Sequence, residues 1–272
     1  MKRGIAIATV PLVVASAAVA ASDLLLRPDS FFATPGGTIT VRVLNGTFSA
    51  SENAITGDRL QDLSVVTSEG VTYLDTSEWD DDSDSTMSFL QLRAAASGSY
   101  VIGASVRPRD VLVETKDFDA YLAANSIPDV LAARRKNKEF YGPVRERYSK
   151  HAKAVVQVGD RRTNAYLTIF DYPAELVPLD NPYTVRPGGT LRVRALVDGR
   201  PVANQLVIAG GQMPSGAQIA QRFMRTDRSG VVRVWLSSRG AWYVKFIYMA
   251  RSAADTTIDY ESKWATLTFG VR

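Results

Sequence analysis

The residues able to do chemistry in this chain are few. It has one histidine, His151, and no cysteine among 272 residues. Disulfides, thiolate metal sites and cysteine nucleophiles are therefore absent, and so is any mechanism that needs several imidazoles. Ser215 sits between Pro214 and Gly216 with no histidine to activate it. There is no Gly-x-Ser-x-Gly elbow, phosphate loop, dinucleotide fingerprint or His-Glu-x-x-His motif. No pair of carboxylates is singled out for glycoside chemistry. The acidic run Glu78-Trp79-Asp80-Asp81-Asp82-Ser83-Asp84 lacks the glycine turn and spaced glutamate of a calcium loop, and reads as a solvated hairpin tip. The basic run from Arg134 to Lys138, followed by Phe140 and Tyr141, reads as a helix end anchored by aromatics. His151 reads as a surface or capping side chain. The expectation is a protein that is not an enzyme, carries no cofactor and has no metal site. A net charge of +4 and a pI near 9.3 are too mild to argue for nucleic acid.

The elements that must position these residues are strands. Pro35-Gly36-Gly37-Thr38-Ile39-Thr40-Val41-Arg42-Val43-Leu44 returns as Pro187-Gly188-Gly189-Thr190-Leu191-Arg192-Val193-Arg194-Ala195-Leu196, 152 positions later. Proline fixes φ and the glycines allow a tight turn, so each copy launches a strand sharply. Alternation then sends Ile39, Val41 and Val43 to one face, and Leu191, Val193 and Ala195 likewise. An aromatic precedes each proline by four residues, Phe31 and Tyr183. The spacing is far longer than a solenoid repeat and implies a duplicated domain.

Met1-Lys2-Arg3, the apolar stretch Gly4 to Ala21 and the small-x-small run Ala18-Val19-Ala20 read as a secretory signal peptide, cut after Ala20 or Ala21. After cleavage the mature protein is expected to be periplasmic or secreted, with no membrane span; the rival reading of the same apolar run is an uncleaved membrane anchor. Strand-like runs are expected at Leu24–Leu26, Thr38–Leu44, Leu63–Thr67, Val71–Leu74, Met87–Arg93, Tyr100–Val106 and Val111–Thr115. Helices are expected after Asp117, over Pro128–Ala133 and over Val144–Lys150. Strand pattern returns at Ala154–Val158 and Tyr166–Phe170. Beyond the Pro-rich Val177–Tyr183, a strand is expected over Pro201–Ala209, a mobile loop over Gly210–Gly216, and a turn joining Phe223–Arg225 to Val231–Leu236. Trp242, Val244, Phe246 and Tyr248 should share a face, and Tyr260–Val271 should be the last strand. The predicted fold is all-β in the main: two tandem Ig-like or prealbumin-like antiparallel β-sandwiches. The signal peptide is 1–21, the first sandwich 22–174 with a helical insertion over about 116–151, and the second 175–272.

Three stretches resemble a known family. They are Arg147-Tyr148-Ser149 with Ala152-Lys153-Ala154, Glu175 to Tyr183 running into Pro187-Gly188-Gly189-Thr190, and Tyr260-Glu261-Ser262-Lys263-Trp264-Ala265-Thr266-Leu267-Thr268-Phe269. Phe118, Tyr121 and Leu122 fit the family's helical insertion. On these the chain is similar to a large domain-of-unknown-function family of exported β-sandwich proteins related to the NikM-like periplasmic component of nickel and cobalt uptake. The resemblance implies an accessory binding protein for metal-ion or solute uptake, partnered by an envelope transporter or another envelope protein. Members commonly begin His-Asp-Phe-Trp, where this chain has Ser22-Asp23-Leu24-Leu25. They commonly carry Ile-His-Met where it has Ile247-Tyr248-Met249. The resemblance implies Asp23, Tyr248 and Glu261 as ligand-binding residues, a set suited to hard cations or a hydrogen-bonded organic ligand rather than nickel. The alternative function is a structural or protein-interaction module of the envelope.

Overall fold

The computed structural model describes residues 22–75, 78–80 and 86–272. The signal-peptide segment and Asp81–Asp84 of the acidic run lie outside the described residues. The duplicated turn is duplicated in its hydrogen bonds. Gly36 and Gly188 take φ of +81° and +88°, which only glycine adopts without strain. The Gly36 N–H donates to the Ala94 carbonyl at 2.6 Å, and the Gly188 N–H to Leu236 at 2.7 Å. Ala94 and Leu236 donate back to the Gly37 and Gly189 carbonyls at 2.8 and 2.9 Å.

Each turn feeds the middle strand of a small antiparallel sheet. In the first half β3 (Thr38–Gly46) lies between β1 (Asp23–Pro28) and β7 (Ser88–Arg93), with β6 (Trp79–Asp80) outside β7. In the second half β11 (Thr190–Val197) lies between β10 (Ala174–Pro178) and β15 (Val231–Trp235) and also pairs with β12 (Arg200–Pro201). Ile39, Val41 and Val43 are buried, as are Leu191, Val193 and Ala195, so the alternation reads the faces correctly.

Both small sheets pack on one nine-stranded sheet. Its first half runs β5 (Gly70–Tyr73), β4 (Leu60–Thr67), β8 (Gly98–Val113), β9 (Val144–Val158). It continues through β17 (Tyr260–Val271), β16 (Gly240–Arg251), β13 (Leu206–Gln212) and β14 (Gln218–Arg225). The short β2 (Phe32–Ala33) adds to the end of β9. Strands from before and after residue 175 thus share one sheet. They meet where β9 and β17 run parallel, and outward from there the order of equivalent strands is the same in each half.

This is the signature of an approximate two-fold axis along the strand direction. Such an axis turns the sheet over. The first small sheet therefore packs on Ala152, Ala154, Val156 and Val158 of β9, while the second packs on Ala265, Leu267, Phe269 and Val271 of β17, which point to the other face. Trp242, Val244, Phe246 and Tyr248 share that second face. A buried Val, Leu or Phe contributes about 1.5–3 kcal/mol, so the two cores need no disulfides. The chain is mainly β and sandwich-like.

Several expected elements differ. Tyr100–Val106 and Val111–Val113 are one strand, β8, with a register shift between Val106 and Arg109 that accommodates Pro108, and the expected strand ends two residues early because Thr115 opens a helix. Helices form as α1 (Thr115–Ala124) and α2 (Pro128–Lys136), but their N-caps are Glu114 and Ile127, without side-chain capping bonds. The third helical stretch, Val144–Lys150, is the beginning of β9. Tyr166–Phe170 is a single 3-10 turn and loop, tied down where the Phe170 N–H donates to Glu175 at 2.8 Å. Gly210 and Gly211 belong to β13, paired with Tyr243 and Trp242 of β16, and glycine is needed there because a Cβ would run into Tyr243 or the Ala241 carbonyl. β14 and β15 flank their turn but lie in different sheets. The helices cover the face of β16 and β17 left bare by the second small sheet: Phe118, Tyr121 and Leu122 pack on Ile247, Met249, Tyr260 and Trp264.

Candidate binding site

Where the helical cover meets the edge of the first small sheet, a chamber of about 170 Å³ remains. β9 supplies Tyr148 and Lys150, β17 supplies Trp264, β8 supplies Val111, α1 supplies Tyr121, and Ser22 and Asn45 come from β1 and β3 or their flanks. Strand alternation explains the convergence. Glu146, Tyr148 and Lys150 are of one parity, and the parallel register sets Lys150 beside Trp264 on that face.

Lys150 is the centre of the chamber. Its Nζ donates to the Ser22 carbonyl at 2.5 Å and to Asn45 Oδ1 at 3.0 Å. It lies 5.4 and 5.3 Å from the ring centroids of Tyr148 and Trp264. Two of its three donor protons are thus placed. Burial pulls its pKa down to about 8, against the pull of Asp23 and Glu146. Below the chamber floor Glu146 is fully buried. Its Oε1 accepts from Tyr121 Oη at 3.1 Å and from Ser262 Oγ, which in turn accepts from Trp264 Nε1 at 2.9 Å. Glu146 Oε2 has no hydrogen-bond partner. Burial raises the pKa of Glu146 despite those two donors and Lys150.

Asp23 borders this site. It is buried against Lys245, with Oδ2 to Nζ at 2.5 Å, and burial raises its pKa above the usual carboxylate range even so. Tyr248 and Glu261 are elsewhere. Tyr248 is three residues from Lys245 on β16, so it points through to the opposite face, where it packs on the second core. Glu261 is on that same opposite face of β17 and accepts from Ser252 Oγ at 3.0 Å. The fold does not bring Asp23 together with the other two.

A second polar cluster has almost no signature in the local sequence. His151 is neither at the surface nor a cap, but buried in the middle of β9. Its Nδ1 lies 2.8 Å from Ser105 Oγ and its Nε2 3.0 Å from Ser149 Oγ, and the ring stacks on Tyr172. A serine beside an imidazole suggests a nucleophile and its base. Burial lowers the pKa of His151 to about 3, helped by Lys263, so the ring is too weak a base to take a serine proton near neutrality. Next to it Lys153 is buried with Glu175, Nζ to Oε1 at 2.7 Å, and donates also to the Thr168 carbonyl at 2.8 Å. This cluster holds the linker between the halves. The one sequence signal for it was Lys153 in a run of otherwise apolar strand residues.

The sequence model of the family described as "Domain of unknown function (DUF4198)" matches residues 19–250, most of the chain. The chain belongs to the DUF4198 family. No curated protein is significantly similar to it in sequence. Among solved structures it is similar to FdeC, an Escherichia coli adhesin, at 14% identity and a TM-score of 0.25, covering 93% of this chain and 64% of that one. The chain therefore spans less than two thirds of the adhesin's length. Among the described residues of this DUF4198 member, no three His, Cys, Asp or Glu side chains gather as metal ligands, and no helix is long and apolar enough to cross a membrane.

Proposed function

We propose that this protein is a non-enzymatic, exported binding protein of the cell envelope that takes a small organic anion in the Lys150 chamber, as an accessory to solute uptake. Export rests on the basic, apolar and small-x-small pattern of the first 21 residues. The uptake role rests on the resemblance to NikM-like proteins. The observation that carries the ligand class is the Lys150 ammonium. It is a buried cation held between two aromatic rings, with one donor proton left over to meet an anion at the chamber. A solute fits this site better than a metal ion, because its polar atoms are an ammonium, an amide, phenols and an indole rather than convergent carboxylates or imidazoles.

A cavity of about 150 Å³ suffices for benzene, so benzoate is a suitable probe: its ring would lie against Trp264, Tyr148 and Val111 and its carboxylate on Lys150. Calorimetry of the mature protein should show one-to-one binding of benzoate near pH 7, and none in Lys150→Met. Tight binding of nickel or cobalt with no benzoate heat would instead return the protein to metal uptake.

A further inference from the structure

The nine-stranded sheet ends in β5, and all four residues of that strand are exposed, Val71 at 52% and Tyr73 at 76%. Among the described residues no strand pairs with its outer side. The direction of its backbone is fixed by its partner. The Leu74 N–H donates to the Leu63 carbonyl of β4 at 2.9 Å, so by alternation the N–H and C=O groups of Val71 and Tyr73 point outward. A bare edge of this kind is a template for an added strand.

Two grooves flank the edge, one on each face of the sheet. The groove of about 370 Å³ takes in Val71 and Tyr73 and ends at Phe170 and Tyr172. The other, about 440 Å³, takes in Gly70 and Thr72 and ends at Leu92 and Tyr100. An extended strand laid on β5 would drop successive side chains alternately into the two grooves, the geometry that gives strand addition its specificity. Both grooves are acidic. Asp62 and Asp171 line the first; Glu69 and Glu78 line the second, against the single cation Arg93. A second copy pairing β5 to β5 would set these carboxylates against their own kind.

We infer that β5 is an acceptor edge for an extended, basic segment of another envelope protein, which adds as a further strand and alternates its side chains between the two grooves. This surface is independent of the Lys150 chamber. It gives the interaction-module function a place on the molecule without requiring the solute reading.

The test uses a labelled octapeptide of alternating lysine and valine with blocked ends, followed by fluorescence anisotropy on the mature protein. The expected result is binding that weakens with salt, and about tenfold or greater loss when glutamate replaces lysine in the peptide. Val71→Pro removes one outward N–H while leaving the β4 pairing intact, and should abolish binding. N-methylation of alternate peptide nitrogens should do the same in the unaltered protein, which separates lost pairing from lost folding. Lys150→Met should bind the peptide as the parent does. The inference is overturned if the glutamate peptide binds equally, if the N-methylated peptide binds equally, or if sedimentation shows a dimer that Val71→Pro converts to monomer.

Discussion

In β9 the run Ser149-Lys150-His151-Ala152 and in β17 the run Ser262-Lys263-Trp264-Ala265 occupy equivalent places on either side of the two-fold axis. Ser149 Oγ meets the His151 ring nitrogen at 3.0 Å; Ser262 Oγ meets the Trp264 ring nitrogen at 2.9 Å. The scaffold is the same and the contents differ. On the first-half side His151 is packed neutral between two serines, with the Lys153–Glu175 pair beside it. On the second-half side Trp264 walls a chamber, Ser262 reaches on to Glu146, and the position equivalent to Lys153 is Thr266, which donates to the Leu24 carbonyl at 2.6 Å. The connection after β8 holds two helices, whereas the equivalent connection after β16 is the short run Ser252–Asp259. Duplication built the frame. The difference in one loop and a few inward side chains made one side a buried polar core and opened the Lys150 chamber on the other.

That contrast predicts unequal responses to substitution. The largest should come from Lys153→Met, which strands Glu175 in the core. Urea unfolding should show a loss of about 3–5 kcal/mol, with most of it recovered in the double variant Lys153→Met, Glu175→Leu. A loss under about 1 kcal/mol in the single variant would mean that water reaches this pair.

Next is the acid response of His151. Its pKa in the folded protein, about 3, is depressed below the unfolded value near 6.5. The unfolded chain therefore binds the proton first, so stability is complete above about pH 6.5 and falls as pH drops towards 3. Between pH 7 and pH 4 the loss on this account is about 3 kcal/mol. His151→Phe should remove that part of the slope. An unchanged slope would show that the imidazole is hydrated.

Smaller effects separate the two serines. Ser262→Ala removes a donor to buried Glu146 and the acceptor of the Trp264 N–H, so it should cost about 1–3 kcal/mol. Ser149→Ala leaves only one ring nitrogen of a neutral histidine unpaired and should cost about 1 kcal/mol less. Equal losses would put the two sites on the same footing. The smallest effect belongs to Asp129→Asn. It removes the charge and one of the two 2.8 Å acceptors through which Arg225 fastens α2 to β14, but the carboxylate is mostly exposed, so the change should be under about 1 kcal/mol and vanish in high salt.

Much of the fold was legible because the first-half and second-half β3 and β11 copies alternate cleanly over an apolar core. The start of β9 was not. On one face there, Tyr148 and Lys150 line a chamber and Glu146 is buried beneath it, so the strand period is hidden and charged residues imitate a helix. The same substitution of polar for apolar residues marks the candidate site. The repeated Ser-Lys-x-Ala run was a further signal of duplication, and would have placed Val144–Lys150 in a strand. Only the resemblance puts Tyr248 with Asp23. Counting parity along β16 from Lys245, the partner of Asp23, sends Tyr248 to the other face, but that partner emerges only from the folded register. Tyr166–Phe170 looked like a strand by composition, yet its backbone is claimed by Glu175, a contact no local pattern announces.

The most direct test of the chamber is the pH dependence of benzoate affinity from about pH 6 to pH 10, measured by calorimetry. Benzoate keeps its charge throughout this range, while Lys150, with its pKa near 8, loses its own. Affinity should be level up to about pH 8 and then fall by about tenfold per pH unit. Binding that stays level to pH 10, or that survives in Lys150→Met, would contradict the assignment of the chamber as an anion site.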